Sequence, residues 1–280
     1  MSPTRTRDIQ YGGDEYNVEN AIVRASQDGK RGDVILIESQ TPVCGSFDST
    51  CASGGCGPVE WQDEIYDATR VAVANGLIVV ATVGNGYQDL DAETCNGYFH
   101  GTNREDSGAI FVGAGGSGVR CEGDVDPLTA RADANYGSRM DVHAWGACVV
   151  STGYNGDLYD GDPDEDPDLN QYYTDSFAGS SSAGPMVAAA AANIQGIAMK
   201  QFGIVLDSYE MRDILVSTGV PQPVDTMRKI GPLINLRHAI DALVDRERRE
   251  GGKSSKGGKR TKSSKAQKSS KAKKSSKLRA

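Results

Sequence analysis

The sequence predicts an α/β fold in which a parallel sheet is flanked by helices, and three observations carry that prediction. Segments with helical spacing of apolar residues alternate with short apolar runs. Those runs are continuous, as in strands covered on both faces, where a half-exposed strand would alternate. One long segment of small residues is apolar almost all round, which marks a helix buried on every side. At 280 residues and 38% apolar content, the chain can form one substantial core.

Taken in order, residues 1–15 read as an irregular segment, and residues 1–11 lack the charged-then-apolar pattern of a secretory signal. Residues 17–27 place Val18, Ala21, Ile22 and Ala25 on one helical face, with Gly29 as the stop. Asp33-Val34-Ile35-Leu36-Ile37 follows as a buried strand. The pattern repeats: residues 61–75 are helical, Gly76 stands where a C-terminal cap belongs, and Leu77-Ile78-Val79-Val80-Ala81 is the next strand. Ala109 to Ala114 and Met140 to Ala144 are two shorter strand candidates. Residues 182–200 form the small-residue helix, with Pro185 expected in its first turn, where a missing N–H costs nothing. Amphipathic helices at 208–217 and 235–244 complete a domain set at 16–248.

The net charge of −8 divides unevenly. Residues 251–280 hold ten Lys, two Arg and no acid, which leaves 18 basic against 38 acidic residues in 1–250. So acidic a body argues against nucleic-acid binding by the fold itself, whereas the tail suits a polyanion. Its Lys-Ser-Ser-Lys repeats bury too little surface to offset chain entropy, so residues 249–280 are expected to be disordered. They carry no aromatic residue and no groove-reading motif. No apolar run approaches the length of a membrane helix.

Of six cysteines, Cys44, Cys51 and Cys56 are crowded, while Cys95, Cys121 and Cys148 are dispersed. Six cysteines allow 15 full pairings, so connectivity is unreadable. The Cys44 to Cys56 stretch fits a small disulfide-tied loop or a metal knuckle; the absence of His within it and its many glycines favour disulfides, hence an oxidising compartment.

Gly179-Ser180-Ser181-Ser182-Ala183-Gly184-Pro185 leads into the small-residue helix. In isolation such serines would cap the helix. Alternatively Ser181 sits at a helix N-terminus, where backbone N–H groups and the helix dipole can stabilise an oxyanion. The turn resembles the nucleophile motif G-T-S-x-A-x-P of the subtilisin-like serine proteases (subtilases), with Ser180 in place of Thr. Val79-Val80-Ala81-Thr82-Val83-Gly84-Asn85-Gly86 resembles the family's V-V-A-A-A-G-N-x-G strand, whose Asn donates to the oxyanion. Residues 107–115 resemble its V-x-V-G-A strand, and Ala134-Asn135-Tyr136-Gly137 resembles its S-N-Y-G block. Asp141-Val142-His143-Ala144-Trp145-Gly146 resembles its D-V-x-A-P-G block, with Trp145 in place of Pro. Residues 211–243 resemble its C-terminal helices.

The resemblance implies a three-layer subtilisin-like fold, an endopeptidase acting on a peptide or protein, Ser181 as nucleophile and Asn85 as oxyanion donor. It places Glu38-Ser39-Gln40 and Gly84 along the substrate backbone, with no cleavage preference legible. A carboxylate at Glu38 fits either selection of basic side chains or a buried structural group. No cofactor is required, and structural calcium is a family feature with no ligands placed here. The acidic loop 157–168 has EF-hand-like carboxylates at Asp160, Asp162 and Asp164, but Glu165 stands where Gly is required, so it reads as a solvated loop.

The family's Asp and His motifs, expected before Asn85, are not found. No histidine precedes His100, and residues 1–32 offer no Asp at the end of an apolar strand. His100-Gly101-Thr102 spells the family's H-G-T but follows Asn85, so it reads as a loop histidine, while His143 and His238 suit packing or surface roles. Three readings follow: a secreted protease whose N-terminal part is missing from this sequence, an inactive relative that binds peptides, or a half completed by a separate N-terminal fragment. In each, the fold is N-terminally incomplete and the chain alone is inactive or nearly so. The strand at 33–37 would then be an apolar edge and the chain alone poorly soluble.

Overall fold

The computed structural model describes residues 17–46, 51, 54–99, 101, 103–119, 121, 125–153, 158, 170 and 172–257, with backbone alone for 250–257. They fall into two units, 1–244 and 245–280.

The first unit is built on a four-stranded parallel sheet in the order β1-β4-β5-β6: β1 (Val34–Ile37), β4 (Ile78–Thr82), β5 (Ile110–Gly115) and β6 (Val142–Trp145). Two antiparallel pairs lie beside it, β2 (Gln40–Pro42) with β3 (Cys56–Pro58) and β7 (Val149–Thr152) with β8 (Tyr173–Phe177). All four sheet strands match the apolar runs, and among the described residues β1 is an edge of the sheet.

Because successive side chains of a strand face opposite ways, the sheet feeds two cores. Ile37, Val79, Ala81 and Phe111 pack with Val18 and Ile22 of α1 (Val18–Asp28) and with Ile65, Ala68 and Ala72 of α2 (Asp63–Ala74). Ile78, Val80, Ile110, Val112, Val142 and Ala144 pack with α3 (Ser180–Ile197), α4 (Ser208–Thr218) and α5 (Leu236–Gly257). The result is a helix, sheet, helix sandwich. Helix starts are locally specified: the Asn17 side chain caps α1, and Asp207 with Glu210 forms a capping box at α4.

Two boundaries differ from the sequence reading. α3 begins at Ser180 instead of Ser182, so Pro185 lies inside the helix and the Ser181 carbonyl lacks its i+4 donor. α5 runs through Glu250 to Gly257, carrying the first seven residues of the basic tail into helix. Propagation adds one hydrogen bond per residue, so a helix anchored by Ala239 and Leu243 extends beyond its apolar stripe. Residues 258–280, and most of the acidic loop 157–168, lie outside the described residues.

The cysteines pair as Cys44–Cys95, Cys51–Cys56 and Cys121–Cys148, so the crowded trio is split between a local and a long-range bridge. No helix among the described residues is long and apolar enough to cross a membrane.

Candidate active site

The N-terminus of α3 lies at the carboxyl ends of the sheet strands. Gly179 enters it with φ +86° and ψ −173°, a region open in practice to glycine alone. Its N–H donates to the Gly146 carbonyl at 2.8 Å, which ties the turn to the end of β6. No side chain caps this helix from its own N-cap position, so the capping role for the serines is not realised. The three serines have different fates. Ser180 is buried. The Ser182 hydroxyl is occupied, 2.9 Å from the carbonyls of both Trp145 and Gly179. Ser181 is half-buried, and its hydroxyl has no hydrogen-bond partner among the described residues. Its N–H belongs to the first turn of α3 and has no intrahelical acceptor.

What caps α3 comes from 95 residues away. The Asn85 side-chain Oδ1 accepts from the Ser180 N–H at 2.8 Å. That bond settles which branch of the carboxamide is oxygen, so Nδ2 is the free donor. Both branches lie 3.1 Å from where a Cβ on Gly179 would stand, and Nδ2 has no acceptor among the described residues. Among the described residues, an unpaired carboxamide donor therefore stands beside the Gly179 turn that leads into Ser181, whose own N–H lacks an intrahelical acceptor. Such an arrangement can hold a carbonyl oxygen and the negative charge it acquires on nucleophilic attack.

The remaining expected site residues gather at the same end of the sheet. Gln40 does more than line a substrate path: its Oε1 accepts from the Asn85 N–H at 2.9 Å. Gly84, at φ +79°, leaves room for that contact, since a Cβ there would stand 2.9 Å from the same oxygen. Ser39 and Gln40 line a cleft with Glu19, Gln62 and Glu64. Glu38 follows β1, and its Oε1 lies 3.5 Å from where a Cβ on Gly184 would stand, beside the first turn of α3. Glu38 is exposed as a whole residue, yet partial burial of its carboxyl pushes its pKa up to about 7. Sequence reasoning missed the buttressing by Gln40 and all of the contacts of Asn135; only the S-N-Y-G block marked the latter.

No described imidazole stands ready as a base for Ser181. His143 is fully buried, its Nδ1 2.7 Å from the Gly231 carbonyl and its Nε2 2.9 Å from the Pro127 carbonyl, and burial lowers its pKa. His238 is exposed on α5, and His100 lies outside the described residues. Among the described residues no group of His, Cys, Asp and Glu is arranged to hold a metal ion. Trp145, standing in place of proline, keeps its indole exposed while its carbonyl anchors Ser182.

Residues 6–263 match the model of the subtilase family, Peptidase_S8. The chain belongs to the subtilase family. By family it is a subtilisin-like serine peptidase. Solved structures with the same fold include a lanthipeptide protease, with 18% identity over 86% of this subtilase and 70% of that chain at a TM-score of 0.59. A protease from Pseudoalteromonas arctica shares 22% identity over 81% of this chain and 58% of its own, with a TM-score of 0.50. The patellamide maturation protease PatA shares 17% over 82% and 68%, with a TM-score of 0.52. These likenesses concern the fold. A search of curated proteins found no match.

Proposed function

We propose that this subtilase is a serine endopeptidase in which Ser181 is the nucleophile and the Asn85 Nδ2 and Ser181 N–H form the oxyanion site. The observation that carries the reading is the Ser180 N–H bond to Asn85 Oδ1, because it spends the carboxamide oxygen on the residue before Ser181 and leaves Nδ2 as the free donor beside the same turn. In the reaction the Ser181 hydroxyl loses its proton to a base and Oγ attacks a peptide carbonyl. The carbonyl oxygen becomes an oxyanion held by the two donors, and collapse releases the amine with that proton, leaving an acyl-Ser181 for water to hydrolyse. The substrate is a peptide or protein lying along Glu38-Ser39-Gln40 and Gly84, and the chemistry requires no cofactor.

The base is not among the described residues, so the chain by itself is expected to react slowly, with oxyanion stabilisation alone driving what acylation occurs. A fluorophosphonate probe tests the assignment: slow labelling at Ser181, lost in Ser181→Ala and accelerated by any separate polypeptide that completes the site. A second reading rests on the same observation, that no imidazole among the described residues serves Ser181: an inactive relative whose cleft captures peptides without cutting them. Peptide binding with no labelling under any condition favours that reading. The basic residues 251–280 would add salt-sensitive attachment to a polyanion, lost when they are removed. Three disulfides and the family together favour a secretory or extracellular setting.

A further inference from the structure

Asn135 is fully buried, and its carboxamide uses all four of its hydrogen-bonding positions. Nδ2 donates to the Cys56 carbonyl at 2.7 Å and to the Val83 carbonyl at 2.6 Å. Oδ1 accepts from the Gly86 N–H at 3.0 Å and from the Gln88 N–H at 2.8 Å. Two carbonyls on one side and two N–H groups on the other admit one orientation only.

Three of these partners bracket Asn85 in the chain, Val83 before it and Gly86 and Gln88 after it. Backbone pairing between the two segments begins later: Tyr87 N–H to the Asp133 carbonyl at 3.1 Å, Tyr136 N–H to the Gln88 carbonyl at 3.0 Å and Leu90 N–H to the Tyr136 carbonyl at 2.9 Å. Asn135 therefore carries the hold back past Asn85 to Val83. The turn is also pressed against β3, where a Cβ on Gly86 would stand 1.9 Å from the Cys56 oxygen, and Asn135 grips that oxygen too.

We infer that Asn135 is a positioning residue of the oxyanion site, fixing the 83–88 turn where the Asn85 Nδ2 reaches a carbonyl bound against Ser181. The inference rests on the roles proposed above for Ser181 and Asn85. Asn135 acts through Asn85: its own four bonds are all spent on the turn and on β3. An oxyanion donor gives its full effect only when it is already in place, so the gain comes from a turn that does not have to reorganise.

The test measures fluorophosphonate labelling of Ser181 in the full chain carrying Asn135→Asp or Asn135→Ser, each with Asn85 intact and in an Asn85→Ala background. Asn135→Asp keeps the acceptor but turns a second oxygen against the Cys56 and Val83 carbonyls; Asn135→Ser introduces no buried charge and serves if the first variant does not fold. With Asn85 present, labelling falls by about tenfold or more, whereas with Asn85→Ala the further loss stays within about twofold. The Asn135→Asp rate, taken relative to the parent, recovers as falling pH protonates the new carboxyl and gives it an O–H donor. Hydrogen exchange quickens at the Gly86 and Gln88 amides and not in β4 or β5. Equal losses in both backgrounds, or unchanged labelling despite faster exchange, would overturn the positioning role and leave the Ser181 assignment standing. A parent protein that never labels sinks that assignment and this inference with it.

Discussion

Asn85 accepts the Ser180 N–H at 2.8 Å and so caps the very helix whose next residue is Ser181. One side chain thus joins the fold to the proposed chemistry: its oxygen satisfies an orphan donor of α3, and its nitrogen is the donor that the proposed reaction would use. The two halves of that role can be separated by substitution.

Asn85→Ala removes both. Losing a side-chain oxyanion donor is expected to slow acylation of Ser181 by roughly 10²–10³-fold, while losing the cap costs about 1 kcal/mol. Asn85→Asp keeps the cap oxygen and removes the donor, so it should retain most of the stability while losing at least as much of the rate as Asn85→Ala. Labelling kinetics and urea midpoints on the two variants check this; an Asn85→Asp protein as reactive as its parent would show that Nδ2 is not the donor.

Gly179→Ala should be costly for a backbone reason. Its φ of +86° with ψ of −173° is denied to residues with a Cβ, and the added methyl would press on the Asn85 carboxamide at 3.1 Å. The expected loss is about 1–3 kcal/mol in a denaturant titration, with labelling of Ser181 reduced out of proportion to the unfolded fraction. A variant with parental stability would mean that the turn relaxes freely.

Reducing the disulfides should destabilise the fold unequally. Cys44–Cys95 closes a separation of 51 residues and Cys51–Cys56 one of 5. Loop-closure entropy gives about 4 kcal/mol for the first and about 2 kcal/mol for the second. Paired Cys→Ser variants, compared by urea midpoint under oxidising conditions, should show the larger loss for Cys44 and Cys95.

The strands and most helices were legible because they rest on local periodicity: Leu77 to Ala81 is apolar whichever way the sheet runs. The start of α3 was misplaced because its cap is Asn85, 95 residues distant, and no local capping pattern registers such a partner. The contacts of Asn135, whose block the sequence does mark, are hidden for the same reason, since its partners are 47 to 79 residues away. Disulfide pairing is likewise tertiary information. The sequence marks Ser181 by its place at a helix N-terminus and by resemblance, and Asn85 by resemblance alone; the reason Ser181 and not Ser182 is the open hydroxyl is the Trp145 carbonyl that occupies Ser182.

Glu60 sets a pH dependence away from the site. It is buried, its Oε1 accepts from the Ser107 hydroxyl at 2.9 Å, and its backbone carbonyl accepts from Arg104. Burial raises its pKa to about 7, against the pull of Arg139 and the Ser107 bond. A carboxyl whose folded pKa lies above its unfolded value binds more protons when folded. Its contribution to stability is present in full below the unfolded pKa of about 4.3 and is lost as pH rises through about 7. Glu60→Gln stays neutral and keeps the acceptor for Ser107. The two proteins should therefore match only below the unfolded pKa of about 4.3, and the variant should pull ahead as pH rises, becoming the more stable by about 1–3 kcal/mol above neutrality. Thermal or urea unfolding across that range decides it. If Glu60→Gln were the less stable protein in alkali, the carboxylate would have to be ionised and held by Arg139, and its pKa would lie below the usual carboxylate range.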